Sequence, residues 1–441
     1  MNRLKICLEK VGYYFLLSKI IEFSFRKRVQ FNTDPRILFG PKPIINYKYF
    51  NHALKEIGFR SNTIMETFLK SINKSDDFDF YKDEIIKSIR FPFKRFKMIR
   101  ELIFFKFCIN NYDILCIPFN GIFFSHTLLK KYEAKIISSS GFKTILMSYG
   151  DDSYIYSKIK DPNLQHILNI SYPQHAMNEV EIRRGVESWQ KYGSFIIGAF
   201  NSPDGFARWD NLAMNFICLD LKYWINKRKY SNNNGTNGEV NIIHTPNHRG
   251  FKGTEFIIEA VSELKKEGLK VNLILLEGLK NDDVKKILKT NADILVEQVI
   301  FNGYALSGIE GMASGLPVLS NLTNNNFLNV FRRYSFLDEC PILATSPETI
   351  KLNLKTLIIN PFLRESLGLA GRKYVEKYHC FESFQYMFTQ IIDKIWYNKK
   401  VDLINMYHPI NSESYNNRSP IVKHPLVKNK IPKELMKKLN K

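Results

Sequence analysis

The feature that most constrains the fold is a regular alternation of apolar runs and helical segments after Glu239. Short runs rich in Val, Ile and Leu are typical of strands buried in a parallel sheet, and the segments between them are long enough for crossover helices. The predicted strands are 240–245, 271–276, 293–296 and 318–320, and the predicted helices are 254–266, 283–289 and 305–314. This order predicts a doubly wound parallel α/β domain.

One predicted helix, 305–314, carries an acidic residue among small ones. Gly315 and Pro317 end this helix, because glycine suits a left-handed cap and proline cannot continue a helix. Glu310 lies inside the helix, and Gly303 comes just before its first turn. The first N–H groups of a helix are unpaired and carry partial positive charge, which favours a phosphate. Alternatively, Glu310 is only part of a buried α/β helix.

Residues 302–317 resemble a known family. Their order is a polar residue, glycine, an apolar turn and then Glu-x-Met-Ala-x-Gly-x-Pro-Val. This order is similar to the nucleotide-sugar site of retaining GT-B glycosyltransferases, family four (glycosyl transferases group 1). The resemblance implies that Glu310 binds the ribose hydroxyls of the donor, and that Asn302 contacts the transferred sugar where the family has Glu. The donor-binding positions that it implies are Asn302, Gly303, Tyr304, Ala305 and Glu310.

The loop at 244–254 joins the first strand of this domain to its first helix and contains two basic residues. In the resembled family, an Arg and the Lys of a Lys-Gly pair hold the donor diphosphate, which implies this catalytic role for Arg249 and Lys252. Two cations on one diphosphate would stabilise the charge of the leaving group. The resemblance thus implies transfer without a metal, with the departing phosphate taking the proton of the acceptor. The alternative is two solvated loop cations.

The first half of the chain carries a weaker form of the same pattern. A short strand before Gly40 leads into a glycine loop, and the strand 144–148 leads into Tyr149 and Gly150. Loops at the carboxyl ends of parallel strands bind ligands in open α/β sheets. The resemblance places Gly40, Tyr149 and Gly150 on the acceptor side. It implies a catalytic role for Asp152, which would contact an acceptor hydroxyl or the sugar. Helix capping is the alternative for Asp152.

The resemblance implies a GT-B architecture, in which two Rossmann-like, doubly wound parallel-sheet domains face each other across a cleft. The Asn- and Gly-rich composition of residues 226–238 is typical of a flexible linker, and the Pro- and Lys-rich composition of residues 400–441 is typical of disorder. The predicted parts are an amphipathic segment 1–30, an acceptor domain 31–225, the linker 226–238, a donor domain 239–383, a helix 384–399 that crosses back to the first domain, and a basic, mostly disordered tail 400–441.

The excess of basic over acidic residues indicates the kind of partner that the chain binds. Lys and Arg number 64 against 43 Asp and Glu, a formal net charge of +21, which favours a polyanionic partner. Residues 90–106 interleave basic residues with phenylalanines, and residues 1–30 have amphipathic spacing, as at an anionic membrane surface. Helices with a solvated basic face are the alternative. No nucleic-acid motif accompanies residues 90–106, so nucleic acid is not a predicted partner.

Other classes find less support in the sequence. The Asp77-Phe78-Asp79 triplet has the form of a metal-binding Asp-x-Asp, but it lies in a polar turn and is predicted to be a capping segment. No His-Glu-x-x-His or phosphate-loop motif is present, so neither a metal nor a cofactor besides the donor is predicted. The six cysteines are widely spaced, as in a reducing compartment.

The sequence contains no secretory signal and no apolar run that could span a bilayer, so the predicted location is cytoplasmic, including the inner face of the membrane. The predicted activity is that of a retaining, hexosyltransferase-type glycosyltransferase. It would move sugar from a nucleotide-diphosphate sugar to a glycan or lipid-linked acceptor in cell-surface polysaccharide synthesis. The alternative is a catalytically impaired GT-B protein that binds sugar nucleotides or glycans.

Overall fold

The computed structural model describes residues 14–22, 24–25, 33–69, 73–91, 96–124, 127–150, 152–198, 212–214, 217–324, 328–329, 332, 337–402 and 421–439. Two compact units emerge. Unit 1 comprises Met1–Lys158, Ala176–Asn215 and Gln385–Leu403, and unit 2 comprises Ile159–His175, Phe216–Phe384 and Ile404–Lys441. Parts of the predicted membrane-binding segments, 1–13, 26–30 and 92–95, lie outside the described residues.

The strands and helices follow one another in α/β order. The strands are β1 Ile37–Phe39, β2 Ser61–Met65, β3 Phe80–Tyr81, β4 Ile114–Ile117, β5 Lys143–Met147, β6 Phe195–Gly198, β7 Leu212–Met214, β8 Val240–His244, β9 Val271–Leu275, β10 Ile294–Asn302, β11 Val318–Asn321 and β12 Leu343–Ala344. The helices are α1 Ile45–Glu56, α2 Lys82–Ser88, α3 Lys97–Asn111, α4 Glu133–Ser139, α5 Pro162–Ser171, α6 Gln174–Met177, α7 Glu179–Tyr192, α8 Arg249–Lys252, α9 Thr254–Lys266, α10 Asn281–Thr290, α11 Leu306–Ala313, α12 Ile350–Ile359, α13 Pro361–Tyr378, α14 Phe381–Ile395 and α15 Lys433–Leu439. Residues 14–22 are also helical.

Each unit is built on a parallel sheet. Among the described residues, the sheet of unit 1 has seven strands in the order β3-β2-β1-β4-β5-β6-β7, and the sheet of unit 2 has five in the order β12-β11-β10-β8-β9. All strand pairs in both sheets are parallel. The central strands are apolar on both faces because helices cover both, and burial of Leu115, Ile243 and Leu295 is complete.

The strand β10 is longer than its apolar run predicts. The sequence predicts a strand over 293–296, whereas β10 continues to Asn302 with irregular register against β11. The continuation brings Glu297, Gln298 and Asn302 into the sheet, where the side chains are at most 4% exposed. Polar residues interrupt the apolar pattern from which a strand is predicted, so this part of β10 was not predicted. Their hydrogen bonds allow these residues to be buried.

The stretch 226–238 is not the flexible linker that its composition predicts. Lys227 donates from its backbone to Ser314 O at 2.9 Å and from its ammonium to Ala292 O at 2.6 Å. The buried guanidinium of Arg364 donates to Ser231 O and Asn233 O at 3.1 and 2.6 Å. These carbonyl contacts fix the stretch on unit 2, so the Asn-rich sequence is a packed turn region.

The tail is also not wholly disordered. Residues 421–439 pack on unit 2, with Val422 and Leu426 buried and Asn429 only 1% exposed. The amide of Asn429 donates to Cys340 O at 2.8 Å and to Ile342 O at 3.1 Å. A few well-placed anchors thus order a segment whose Pro and Lys content predicts disorder. Residues 403–420 and 440–441 of the tail lie outside the described residues.

The boundary between the units also differs from the prediction of one continuous domain over 31–225. The segment Ile159–His175 groups with unit 2, although residues on both sides of it in sequence belong to unit 1. Its helix α5 contacts α8 and β10. At the other end of the chain, Gln385 and Trp396 donate to Ala53 O and Thr33 O of unit 1, both at 2.9 Å, in the stretch predicted to cross back.

Candidate functional site

The Lys252-Gly253 pair lies where α8 meets α9 in unit 2. Gly253 has φ +76°, and a Cβ atom on it would lie 2.5 Å from Val299 Cγ2 of β10. Glycine is therefore required here for two reasons, the left-handed backbone and the close approach to the strand. This close approach holds α8 against β10 and directs Lys252 into the sheet, where its side chain is 8% exposed.

Lys252 meets two polar side chains of β10. Its ammonium forms an ion pair with Glu297 and donates to Gln298 Oε1 at 2.8 Å. Gln298 in turn donates to Gly303 O at 3.2 Å. The predicted phosphate-binding lysine is therefore tied through β10 to the predicted donor loop.

Glu297 joins the elements of the site. It is completely buried and accepts hydrogen bonds from Ser307 Oγ at 3.1 Å and Ser320 Oγ at 2.9 Å, besides the ammonium of Lys252. The backbone N–H of Ala305, at the N-terminus of α11, donates to it at 3.3 Å. The Glu297 carboxylate thus partly neutralises the partial positive charge at this helix terminus.

Gly303 turns the chain from β10 into α11. Its φ is +104°, its N–H donates to Asn321 O at 2.8 Å, and its carbonyl accepts from Ser320 Oγ at 2.7 Å. The helix then runs from Leu306 to Ala313 and is followed by Gly315 at φ +77°. The bounds match the start near Ala305 and the stop at Ser314 that the sequence predicts.

Glu310 lies within α11 and is 5% exposed. Its Oε1 accepts a hydrogen bond from Asn281 Nδ2 at 3.1 Å. Burial raises the pKa of its carboxyl group to about 8, and the Asn281 hydrogen bond and the charge of Lys252 lower that pKa only in part. The structure therefore brings Glu310 and Lys252 into one electrostatic environment within unit 2.

Asn302 ends β10 and is 4% exposed. Its Nδ2 donates to Asp161 Oδ2 at 3.0 Å. Asp161 precedes α5 and also caps that helix, because its Oδ1 accepts from Asn163 N at 3.0 Å. A carboxylate therefore lies next to Asn302, although it is distant in sequence.

Arg249 and Tyr304 contact groups that the sequence does not predict. The Arg249 guanidinium is 42% exposed and pairs with Glu255 at 2.8 Å and Glu277 at 3.2 Å, whereas the Lys252 ammonium points into the sheet. The Tyr304 hydroxyl lies in the core beside Tyr374 Oη at 3.1 Å. Tyr304 thus offers only its backbone to a ligand near Gly303.

In unit 1, Asp152 stabilises the loop that follows β5. Its carboxylate accepts from Ser148 Oγ at 2.8 Å, from the backbone N–H groups of Tyr149 and Gly150 at 3.1 and 3.2 Å, and from Phe119 N at 3.0 Å. The carboxylate joins the loops after β4 and β5, leaving the Tyr149 side chain 41% exposed.

The loop at Gly40 lies close to β2. A Cβ atom on Gly40 would lie 2.1 Å from Ile64 O, so only glycine fits. Beyond this loop, α1 carries Tyr47, which is 2% exposed and near Asp152 and Tyr149. Burial raises the pKa of Tyr47, and its hydroxyl has no hydrogen-bond partner among the described residues, nor has Asn46 Oδ1.

Asp77 and Asp79 have structural contacts. Asp77 pairs with Lys48 at 2.6 Å and accepts from Lys74 N at 2.7 Å, whereas Asp79 binds Lys55, Asn51 and Thr63. Within the described part of the chain, no group of three or more His, Cys, Asp and Glu side chains is arranged to hold a metal ion. No helix in that part is long and apolar enough to cross a membrane.

Sequence reasoning missed four residues of these clusters: Glu297, Asn281, Asp161 and Tyr47. Glu297 had a signal, because an acidic residue inside the apolar run 294–300 must be paired when the strand is buried. Asn281 and Asp161 had none, since each reaches its partner through a fold contact between residues 29 and 141 positions apart.

The comparisons with known proteins concern the fold. No protein-family profile matches the sequence, and no curated protein matches it significantly. The crystal structure of Anabaena HepE with UDP and glucose has a TM-score of 0.52 and 10% identity, over 81% of this chain and 99% of that chain. HepE with UDP-glucose gives 0.51 and 11% over 82% and 100%, and a glycosyltransferase from Rickettsia africae gives 0.50 and 12% over 83% and 100%. Together with the two parallel sheets, these likenesses confirm the predicted fold class: the chain has the GT-B fold.

Proposed function

We propose that this protein is a retaining glycosyltransferase that uses a nucleotide-diphosphate sugar as donor. The observation that carries the proposal is Glu310, a buried carboxyl group just inside the helix that follows Gly303, within the field of Lys252. An ionised carboxylate in this position can accept hydrogen bonds from two vicinal hydroxyls, which suits a ribose. Those hydrogen bonds would lower the pKa of Glu310 from the value of about 8 that burial gives it without a ligand, so binding of the ribose favours the ionised form. Asn281 would orient it.

The cations would bind the diphosphate. An ammonium has three N–H groups, and Glu297 and Gln298 are the acceptors bonded to Lys252 within the described chain, which leaves one N–H for a phosphate oxygen. Arg249 would have to exchange Glu255 or Glu277 for the phosphate. Exposed ion pairs of this kind are weakened by solvent, so exchanging one carboxylate for a phosphate costs little.

In the proposed reaction the bond between the anomeric carbon and the diphosphate oxygen breaks, and that oxygen keeps the electron pair. The acceptor hydroxyl forms the new bond on the same face, and its proton passes to the departing phosphate. Lys252 and Arg249 stabilise the charge that develops on the leaving group. No metal or cofactor is part of this proposal.

The acceptor would bind to the loops of unit 1. Gly40, Tyr149 and Gly150 belong to loops that follow strands of its sheet, and the unpartnered Tyr47 hydroxyl lies beside them. Because the described contacts of Asp152 are to its own loops, we assign it the role of positioning Tyr149 and Gly150. The acceptor class that we propose is a glycan or lipid-linked glycan of cell-surface polysaccharide, met at the cytoplasmic face of an anionic membrane.

HepE was crystallised with UDP, glucose and UDP-glucose, which makes uridine nucleotides the first probes. The test is donor hydrolysis and transfer by purified protein with UDP-glucose and a panel of other nucleotide sugars. Glu310→Gln should lower kcat/KM by at least tenfold while the protein stays folded. The matched control is Glu263→Gln, which removes a surface carboxylate paired with Lys351 in the same unit. Equal activity of wild type and Glu310→Gln would contradict the assignment.

A second candidate is a GT-B protein that binds sugar nucleotides without transfer, and Asn302 favours it because an amide replaces the acidic residue of the resembled family. Asn302→Glu alone would place a second carboxylate next to Asp161, 3.0 Å from the present amide. The informative variant is therefore Asn302→Glu with Asp161→Asn. If this variant and the wild type bind a nucleotide sugar but neither transfers nor hydrolyses it, the binding protein is the better description.

A further inference from the structure

The contact between Asp161 and Asn302 defines the orientation of a buried amide. Asp161 offers only acceptor oxygens, so Asn302 must present its Nδ2 to it, at 3.0 Å. Rotating the amide by half a turn would bring Asn302 Oδ1 against the carboxylate, which is acceptor against acceptor. The direction of Asn302 Oδ1 is therefore fixed by Asp161.

This fixed oxygen is an unsatisfied acceptor. Asn302 is 4% exposed, and Oδ1 has no hydrogen-bond partner among the residues that the structure describes. Leaving a buried carbonyl oxygen unpaired costs about 1–3 kcal/mol. A ligand that brings an O–H or N–H group to this oxygen recovers that free energy, whereas a ligand without a donor does not.

Asp161 is itself held in place. It caps α5, and Pro162 begins that helix. At the other end of α5, the Tyr172 ring packs against His248 at 4.9 Å and Phe251 at 6.3 Å between centroids. Other residues of unit 2 thus contact α5 at both ends, so the carboxylate is a fixed part of the site.

We infer that Asp161 positions Asn302 to recognise a hydrogen-bond donor on the sugar of the nucleotide sugar, a hydroxyl or an acetamido N–H. This inference rests on the proposed function. In a nucleotide sugar the diphosphate lies between the ribose and the sugar. In the same way, the N-terminus of α11 lies between Glu310 and Asn302 along the chain. With the ribose on Glu310 and the phosphates on the cations, Asn302 would face the sugar, as the resemblance implies. Asp161 acts through Asn302.

The test compares wild type with Asp161→Asn, Asn302→Asp and the reciprocal double variant Asp161→Asn/Asn302→Asp. Asn is as good a helix cap as Asp, so α5 should survive Asp161→Asn, and thermal melts check this. Calorimetry measures the Kd of UDP, UDP-glucose, UDP-galactose and UDP-N-acetylglucosamine for each protein. The readout is the ratio of the Kd of UDP to that of the preferred UDP-sugar.

Each single variant should lower this ratio at least fivefold. Asp161→Asn frees the amide to turn, and Asn302→Asp sets two carboxylates against each other. The double variant restores a donor against an acceptor and should recover most of the ratio. If the single variants raise the Kd of UDP and of UDP-sugar equally, Asn302 contacts the nucleotide and not the sugar, and the inference is wrong. An unchanged Kd ratio in both single variants would also overturn it.

The failure of the proposed function gives a different result. If wild type binds none of these ligands, and none of the corresponding ADP, GDP and dTDP compounds, the nucleotide-sugar site itself is wrong and the inference falls with it. If a nucleoside diphosphate binds in a Glu310-dependent manner but its affinity ratio ignores Asp161 and Asn302, only the inference is wrong.

Discussion

Glu310 is a carboxyl group whose charge opposes folding. Burial raises its pKa from 4.5 to about 8, so between these values the folded protein holds a proton that the unfolded chain releases. The stabilising effect of that proton is complete below about pH 4.5 and is lost as the pH rises through about 8. The positive charge that acts on it, Lys252, is already paired with Glu297 and compensates only in part.

The first prediction compares wild type with Glu310→Gln, which resembles the protonated carboxyl. From about pH 4.5 to about pH 8 the free energy of unfolding of wild type should fall relative to the variant, by a few kcal/mol at about 1.4 kcal/mol per pKa unit. Urea unfolding at several pH values measures it. Parallel curves for the two proteins would show that Glu310 ionises normally.

The second prediction concerns the buried pair of Lys252 and Glu297. Lys252→Met should lower the free energy of unfolding by about 3–5 kcal/mol, because it leaves a buried carboxylate unpaired. Adding Glu297→Gln removes that charge and should recover a large part of the loss. Arg249→Met is the control: its ion pairs are exposed, so it should lower the free energy of unfolding far less than Lys252→Met does. Additive losses in the double variant would contradict the pairing.

At this scale the sequence predicted residue types better than contacts. The places of Lys252 before a glycine, Gly303 in a turn and Glu310 inside a helix follow from local pattern, because each depends on a glycine or a helix end nearby in sequence. The buried partner of Lys252 is not found, since strand periodicity treats Glu297 as an interruption. The direction of Tyr304 is missed as well, because only the packed fold decides that its ring enters the core beside Tyr374.

Among the elements, the junction of α8 and α9 sets the position of Lys252. The junction is narrow, since Gly253 approaches Val299 and Ile300 of β10. The predicted strands and helices after Glu239 were right in type and order, and most bounds agree within a few residues, but α8 lies in a stretch predicted to be a loop. The extent of β10 and the destination of α5 were not predictable, because long-range hydrogen bonds and packing determine them.

The third prediction tests this junction with a matched pair of glycines. Gly253→Ala combines a strained backbone at φ +76° with a clash against β10, whereas Gly268→Ala has φ +91° and nothing within 4 Å of the added Cβ. Gly268→Ala should cost about 1–2 kcal/mol, and Gly253→Ala should cost about 1–3 kcal/mol more. Urea unfolding gives both values. If both substitutions lower the free energy of unfolding equally, β10 accommodates the added Cβ atom at no cost, which would contradict the prediction.

For the whole molecule, the net charge of +21 makes anionic surfaces the natural test. The fourth prediction is that the full-length protein pellets with vesicles containing anionic lipid but not with neutral vesicles, and that salt reduces the pelleting because it screens the attraction. Recovery of all the protein in the supernatant with both kinds of vesicle would contradict the membrane proposal.

The parallel sheet of unit 2 could be predicted because it follows from an alternating pattern that is local in sequence, whereas the two-sheet architecture was implied by the resemblance to GT-B glycosyltransferases. The assignment of segments to units could not be predicted. Composition predicts that residues 226–238 and 421–439 are loose, yet Arg364 and Asn429 tie them to unit 2 through backbone carbonyls. Such contacts depend on the direction of a single side chain in the folded protein, and this direction cannot be predicted from the local sequence.

The segment Ile159–His175 has a practical consequence for anyone who exchanges modules between this protein and others of its fold. A chimera cut once, near residue 216, would combine the second half of one parent with an α5 helix from the other, so Asp161 and Asn302 would come from different sources. Swaps that carry 159–175 together with 216–384 keep the two side chains matched, and they should retain the sugar preference of the parent that supplies both pieces.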